Sequence, residues 1–225
     1  DTILGPVVTP LLQSARPGEE YIFHAIPLID HDIHSVQAMV ATMKAQDVDT
    51  FGKALEKWRV PPVHTIAADD QGNIGYWHTV AIPIRSSKVP LAGIMAQDAS
   101  SSTMWPDILP FHLRPHVKNP QEDALYIANH LPVGSWYNIN VGNRPAEFGD
   151  TVRSWRLREL LSSKTIWSPE EMFAVHHDSG NPAVREIVRA ALHLRDSQKI
   201  TLSSETLQAL SILEPWYQHG DQSSK

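Results

Sequence analysis

Cysteine is missing from all 225 residues, which excludes disulfides, thiolate nucleophiles and zinc sites built on cysteine ligands. It does not locate the protein in a redox compartment. Long apolar runs are missing as well: no window reaches the roughly 18 consecutive apolar residues that suggest a membrane-spanning helix. The first residues, Asp1-Thr-Ile-Leu-Gly-Pro, carry neither a basic nor an apolar leader segment, and no methionine begins the chain. Clustered positive charge is scarce. Lys and Arg number 19 against 25 Asp and Glu, a formal net charge of -6, and the densest basic run, Arg153-Ser-Trp-Arg156-Leu-Arg158, holds only three cations. Binding to a phosphate backbone draws on many clustered cations, so nucleic acid is not an expected partner. No Gly-x-Gly-x-x-Gly or Gly-Lys-Ser/Thr phosphate loop is present, and no Gly-x-Ser-x-Gly turn presents a serine.

What is present supports a folded chain, with 42% apolar and 20% charged residues. The two parts read differently. Residues 1–148 combine short apolar runs with Pro-rich loops, and residues 150–217 carry helix signals nearly throughout, so a boundary is expected near Gly149, with 149–225 as the helical region. Pro6-Val-Val and Tyr21-Ile-Phe-His-Ala-Ile-Pro-Leu-Ile have β-favouring composition. Strands at 63–68 and 74–82, joined by Asp69-Asp70-Gln71-Gly72-Asn73, read as a hairpin. Ahead of it, helix is expected over His34–Met43 and again over Thr50–Trp58, where Phe51, Leu55 and Trp58 share a face and Asp49 is the expected cap. Residues 86–145 read as loop, because Pro90, Pro106, Pro110, Pro115, Pro120, Pro132 and Pro145 interrupt regular elements. Ser168-Pro169-Glu170-Glu171 is a helix start, with serine as cap, proline in the first turn and a glutamate to reach back. Another helix starts at Asn181-Pro182, with Val184, Ile187, Val188, Ala191 and Leu192 as its apolar stripe, and a third runs from Ser204 to Leu213.

Two clusters hold metal-ligating side chains. His24, Asp30, His31, Asp32 and His34 fall within eleven residues. Their spacing fits no metal-binding pattern, however, and Asp30 and Asp32 serve equally well as loop or cap residues. His176-His177-Asp178 reads as a polar helix end at the surface. No metal or other cofactor is expected. Trp58, Trp77, Trp105 and Trp136 either line a ligand pocket or anchor core and loops.

The hairpin segment Ala67-Ala68-Asp69-Asp70-Gln71-Gly72-Asn73-Ile74-Gly75-Tyr76, followed by Pro83 and Arg85, resembles the penicillin acylase (penicillin amidase) family of N-terminal-nucleophile hydrolases. Other motifs follow in the family's order. Gly5-Pro6-Val7-Val8 is similar to its His-Gly-Pro strand, and Phe51, Leu55 and Trp58 to the helix ahead of the hairpin. Pro90, Gly93, Trp105, Pro110, Asn119-Pro120 and Ala128-Asn129 are similar to its Pro-rich loop. Arg153 to Leu161, Ser168-Pro-Glu-Glu, His177-Asp178, Leu210 and Trp216 are similar to the helical region that follows.

The resemblance implies an α+β chain forming part of a four-layered αββα sandwich with a helical C-terminal third. It also implies an amidohydrolase that cleaves N-acyl amides, located in the periplasm or outside the cell. Partners on this view are an N-acylated small molecule and another chain or segment that supplies the nucleophile. Such enzymes use an N-terminal Ser, Thr or Cys whose own α-amino group takes its proton. Asp1 cannot serve, and Thr2 falls downstream of the family's nucleophile, so the chain reads as an internal or truncated segment lacking that residue. In the family an asparagine side chain, nine residues before the asparagine of the Gly-Asn pair, donates to the oxyanion; counting back from Asn73 gives His64. An imidazole N–H also donates. Arg85 matches a family arginine near the active site. His64 and Arg85 are therefore the candidate catalytic residues. Alternation places His64, Ile66 and Ala68 on one strand face and Asp69 on the other, so Asp69 does not orient His64. The rival reading is a non-hydrolytic homologue that binds an acylated small molecule or partner, or performs His64-dependent chemistry.

Overall fold

The computed structural model describes residues 6–22, 33–85, 96, 107–134, 136–137, 139, 150–197 and 201–218. The chain forms two compact units, Asp1–Leu125 with Trp136–Asn143, and Tyr126–Ser135 with Arg144–Lys225. The first is mixed and the second helical, so the fold is α+β.

In the first unit, helix α1 spans Ile33–Thr42 and α2 spans Val48–Ala54, prolonged by a 3-10 turn over Leu55–Lys57. Strands β1 (His64–Ala68), β2 (Ile74–His78) and β3 (His116–Lys118) form an antiparallel sheet in that order. The cap of α2 is Asp47, not Asp49. Asp47 accepts from the Thr50 amide at 2.7 Å, and Thr50 Oγ1 accepts from the Asp47 amide at 3.2 Å. The start is set by Val48, which is buried and whose amide donates to Asp69 Oδ2 at 3.2 Å. Asp49 instead accepts from Lys118 Nζ at 2.8 Å. Helix α1 turns Ser35 and Ala38 inward and leaves Ile33, Val36, Met39 and Val40 exposed. Ser35 Oγ accepts from the amides of Arg59 and Val60, both at 3.1 Å.

The core of this unit is Trp77 of β2 packed on Val48 and Leu55, ringed by Phe51, Trp58, Ala67 and Phe111. Two glycines make room for the indole. A Cβ at Gly52 or Gly75 would lie 2.4 or 2.3 Å from a ring atom. The turn between β1 and β2 uses Gly72 at φ 82°, and Asp69 Oδ1 accepts from the amides of Gln71 and Asn73 at 3.0 and 2.9 Å.

Strand β3 is an addition to the sequence reading, which treats its whole neighbourhood as loop. It pairs Gly75 with Lys118, Tyr76 with Val117 and Trp77 with His116. Asn119 then locks the turn: its Oδ1 accepts from the Ile74 amide and its Nδ2 donates to Asn73 Oδ1, each at 2.9 Å. The strand expected through residue 82 stops at His78. Thr79 still donates to the Val63 carbonyl at 3.1 Å, and Pro83 forms an isolated bridge with Ile108. Of the early β-favouring segments, the described residues show one bridge, Val7 with Ile22; residues 23–32, which hold most of the second segment, lie outside the described ones.

In the second unit, α3 spans Val152–Leu161, α4 Pro169–His176, α5 Pro182–Ser197 and α6 Ser204–Gln218. Ser168 and Glu171 form the capping box of α4, at 3.2 and 2.8 Å. Val188, Leu192 and Leu210 form the core of α5 and α6, with Ala191, Leu202, Trp216 and Tyr217 around it. The buried stripe of α5 is narrower than its sequence suggests, for Ile187 is 68% exposed. Helix α6 continues past Leu213 through Pro215. Packing of Trp216 and Tyr217 favours that last stretch, and so does a two-pronged pair from Arg195 to Glu214 at 2.7 and 3.0 Å.

Asp178 is not the surface residue that its sequence context suggests. Its side chain is 10% exposed and accepts from Arg156 Nε and Nη2 at 2.7 and 2.8 Å. The basic run of α3 is spent internally: Arg153 donates to Asn129 Oδ1 at 2.7 Å and Arg158 to Asp150 at 2.5 Å. No helix among the described residues is long and apolar enough to cross a membrane.

Candidate functional site

Period-two alternation gives the β1–β2 hairpin two unlike faces. Ala67, Gly75 and Trp77 turn toward α2. The opposite face carries His64, Ile66 and Ala68 from β1 against His78, Tyr76 and Ile74 from β2, in direct register. His64 is half-buried, and its Nδ1 lies 2.8 Å from Tyr76 Oη. The His64 and Tyr76 rings stack at 22° with centroids 5.9 Å apart, and the His78 ring meets His64 edge-on at 4.7 Å.

Burial sets the charge state of this face. Tyr76 is 7% exposed, and burial pushes its hydroxyl pKa far above the ordinary range, so it stays a neutral O–H. The His78 imidazole is pushed down to about 4, first by burial and then by the charges of His64 and Arg114. His78 Nδ1 is buried without a hydrogen-bond partner among the described residues. Arg114 is itself buried, with Nε donating to the Leu109 carbonyl at 3.2 Å and Nη1 to the Trp58 carbonyl at 3.3 Å. An uncharged His78 avoids placing a second cation beside it.

Asp69 takes no part on this face. Its carboxylate serves the amides of Val48, Gln71 and Asn73. Arg85 lies half-buried on the segment that leaves β2, with Nη1 3.5 Å from the Pro83 carbonyl, and burial lowers its pKa. The structure thus brings His64 together with Tyr76 and His78, two residues that the sequence reading did not single out as site residues. The signal for them was present: strands paired across a five-residue turn place positions 76 and 78 on the same face as position 64.

The remaining candidates resolve into structural roles or fall outside the described residues. Trp77 is core, and Trp58 donates from Nε1 to the Pro61 carbonyl at 2.8 Å. Trp136 is 77% exposed, and Trp105 lies outside the described residues. So do His24, Asp30, His31 and Asp32, whereas His34 is exposed with Nδ1 3.4 Å from Gln37 Oε1. His176 closes α4, and His177 Nδ1 sits 2.9 Å from the Phe173 carbonyl. Among the described residues no group of three or more His, Asp and Glu is placed to hold a metal.

Comparison with known proteins gives this hairpin its context. Over 174 residues the chain is 29% identical to penicillin G acylase of Escherichia coli, which takes in 73% of this chain and 18% of that protein. A thermostable penicillin G acylase from Alcaligenes faecalis, solved in an orthorhombic form, matches with a TM-score of 0.74 at 21% identity, covering 96% of this chain and 37% of that one. This second likeness is one of fold. The chain spans about a fifth of the first relative and a little over a third of the second. A family model described as penicillin amidase matches residues 1–225. The chain belongs to the penicillin amidase family.

Proposed function

We propose that this chain forms the oxyanion side of an amidohydrolase that cleaves N-acylated small molecules, with His64 as side-chain donor and Arg85 as a nearby cation. The observation that carries the reading is the position of His64. It occupies the place of the family's asparagine by count from Asn73, half-buried on the hairpin face away from the core.

The reaction runs by acyl transfer. An N-terminal Ser, Thr or Cys on another segment attacks the amide carbonyl while its own α-amine takes the proton. Negative charge gathers on the carbonyl oxygen, and an N–H of His64 donates to it. The protonated α-amine then gives its proton to the departing amine, and water releases the acyl group. Arg85 adds positive potential to the site. The periplasm or the extracellular space is the location that fits this family.

The departure from asparagine favours a second reading, in which a non-hydrolytic homologue binds an acylated small molecule or a partner. Turnover separates the two. The protein in its full natural reading frame, incubated with phenylacetyl and long-chain acyl amides, should hydrolyse at least one of them. His64→Ala should then lower kcat about 100-fold, and His64→Asn should restore most of it. Tight binding of these amides with no turnover by the unaltered protein supports the second reading instead.

A further inference from the structure

We propose that Tyr76 is a positioning residue for His64: its hydroxyl donates to Nδ1 and holds the imidazole as the tautomer that carries its proton on Nε2. The inference rests on the reading of His64 as oxyanion donor for its consequence in catalysis, but not for its geometry.

A neutral imidazole has one N–H and one bare nitrogen, and its hydrogen-bond partners decide which is which. At 2.8 Å between Nδ1 and Tyr76 Oη, either atom can be the donor by distance alone. The surroundings of the tyrosine decide between them. Tyr76 is buried, and among the described residues His64 Nδ1 is the hydroxyl's one hydrogen-bond partner. Were Nδ1 to donate, the phenolic proton would be buried with no acceptor among the described residues, and a desolvated donor left unpaired is unfavourable. With the phenol donating, both atoms are satisfied. Burial keeps the tyrosine protonated, so the donor is always there.

Sheet register makes this contact. Tyr76 pairs directly with Ile66, and His64 is the next residue on that face of β1, the diagonal neighbour within reach of an aromatic side chain. His78, directly opposite His64, closes the other side with its ring edge-on at 4.7 Å. The imidazole is thus fixed in tautomer by one neighbour and flanked by the other. An asparagine amide always carries its N–H. A histidine in the same slot offers an N–H at Nε2 only in one tautomer, and Tyr76 selects that one.

The test uses the full natural reading frame with histidines isotope-labelled at the imidazole nitrogens, the His64 signals being those lost in His64→Asn. Unaltered protein should show His64 with a protonated Nε2 and a bare Nδ1 at neutral pH, and Tyr76→Phe should convert it to a mixture. A His64 protonated on Nδ1, or one unchanged by Tyr76→Phe, overturns the inference. Tyr76→Phe should also lower kcat on a phenylacetyl amide about tenfold, with KM little changed. It should have no effect in a His64→Asn background. A tautomer that responds to Tyr76→Phe while kcat does not leaves the positioning intact and overturns the role of His64 as oxyanion donor. Far-ultraviolet circular dichroism of Tyr76→Phe should match that of the unaltered protein; should it not, the His64 tautomer in the unaltered protein alone decides.

Discussion

A histidine facing a histidine across two strands is a costly arrangement if both are charged, and His78 resolves it by remaining neutral. In the unfolded chain it takes up a proton near 6.5, in the fold at about 4. Between those values the unfolded state binds more protons, so stability falls as pH drops through the window and levels off below it. The full loss is at most about 3 kcal/mol. Urea midpoints measured from about pH 7 to about pH 4 should show this slope, and His78→Gln should flatten much of it. Gly75 makes a different demand. A methyl group there meets the Trp77 ring, so Gly75→Ala should cost about 1–3 kcal/mol by overpacking. A fall in the urea midpoint at constant slope is the expected signature.

Among the elements, a helix cap is legible where the sequence offers one candidate and not where it offers two. Ser168-Pro-Glu-Glu contains a single serine, with its glutamate at the capping-box position. Ahead of α2 both Asp47 and Asp49 qualify by residue type, and the choice fell to Val48, whose burial against Trp77 fixes the first turn. Asp47→Ala should therefore lower stability by about 1 kcal/mol. Asp49→Ala removes only an exposed pair with Lys118 and should cost little. Thermal melts of the two variants test the assignment. The hairpin was legible because turn residues interrupt two β-favouring runs. Strand β3 was not, for its three residues between Pro115 and Pro120 are too few to show alternation, and its pairing with β2 is a long-range event.

At the scale of the whole molecule, the charge excess is negative and the one basic run is consumed by internal partners. Arg156 holds Asp178 and Glu159, and Arg158 holds Asp150. Duplex DNA titrated against the protein should accordingly give no salt-dependent binding in the micromolar range near physiological ionic strength. A steep fall of affinity with salt would contradict this charge reading.

Motif order along the chain was enough to identify the family and the α+β class, because residues such as Gly72, Asn73 and Ser168 declare their turns and caps through local chemistry. It was also enough to mark His64 as the unusual residue, since counting from Asn73 needs no structure. What sequence alone did not decide is what surrounds His64. Tyr76 and His78 reach it through strand register, and the half-buried ion pair of Arg156 with Asp178 joins residues 22 positions apart. Those partnerships come from close packing of distant segments, where burial removes water and leaves each polar atom to the neighbours that the fold provides.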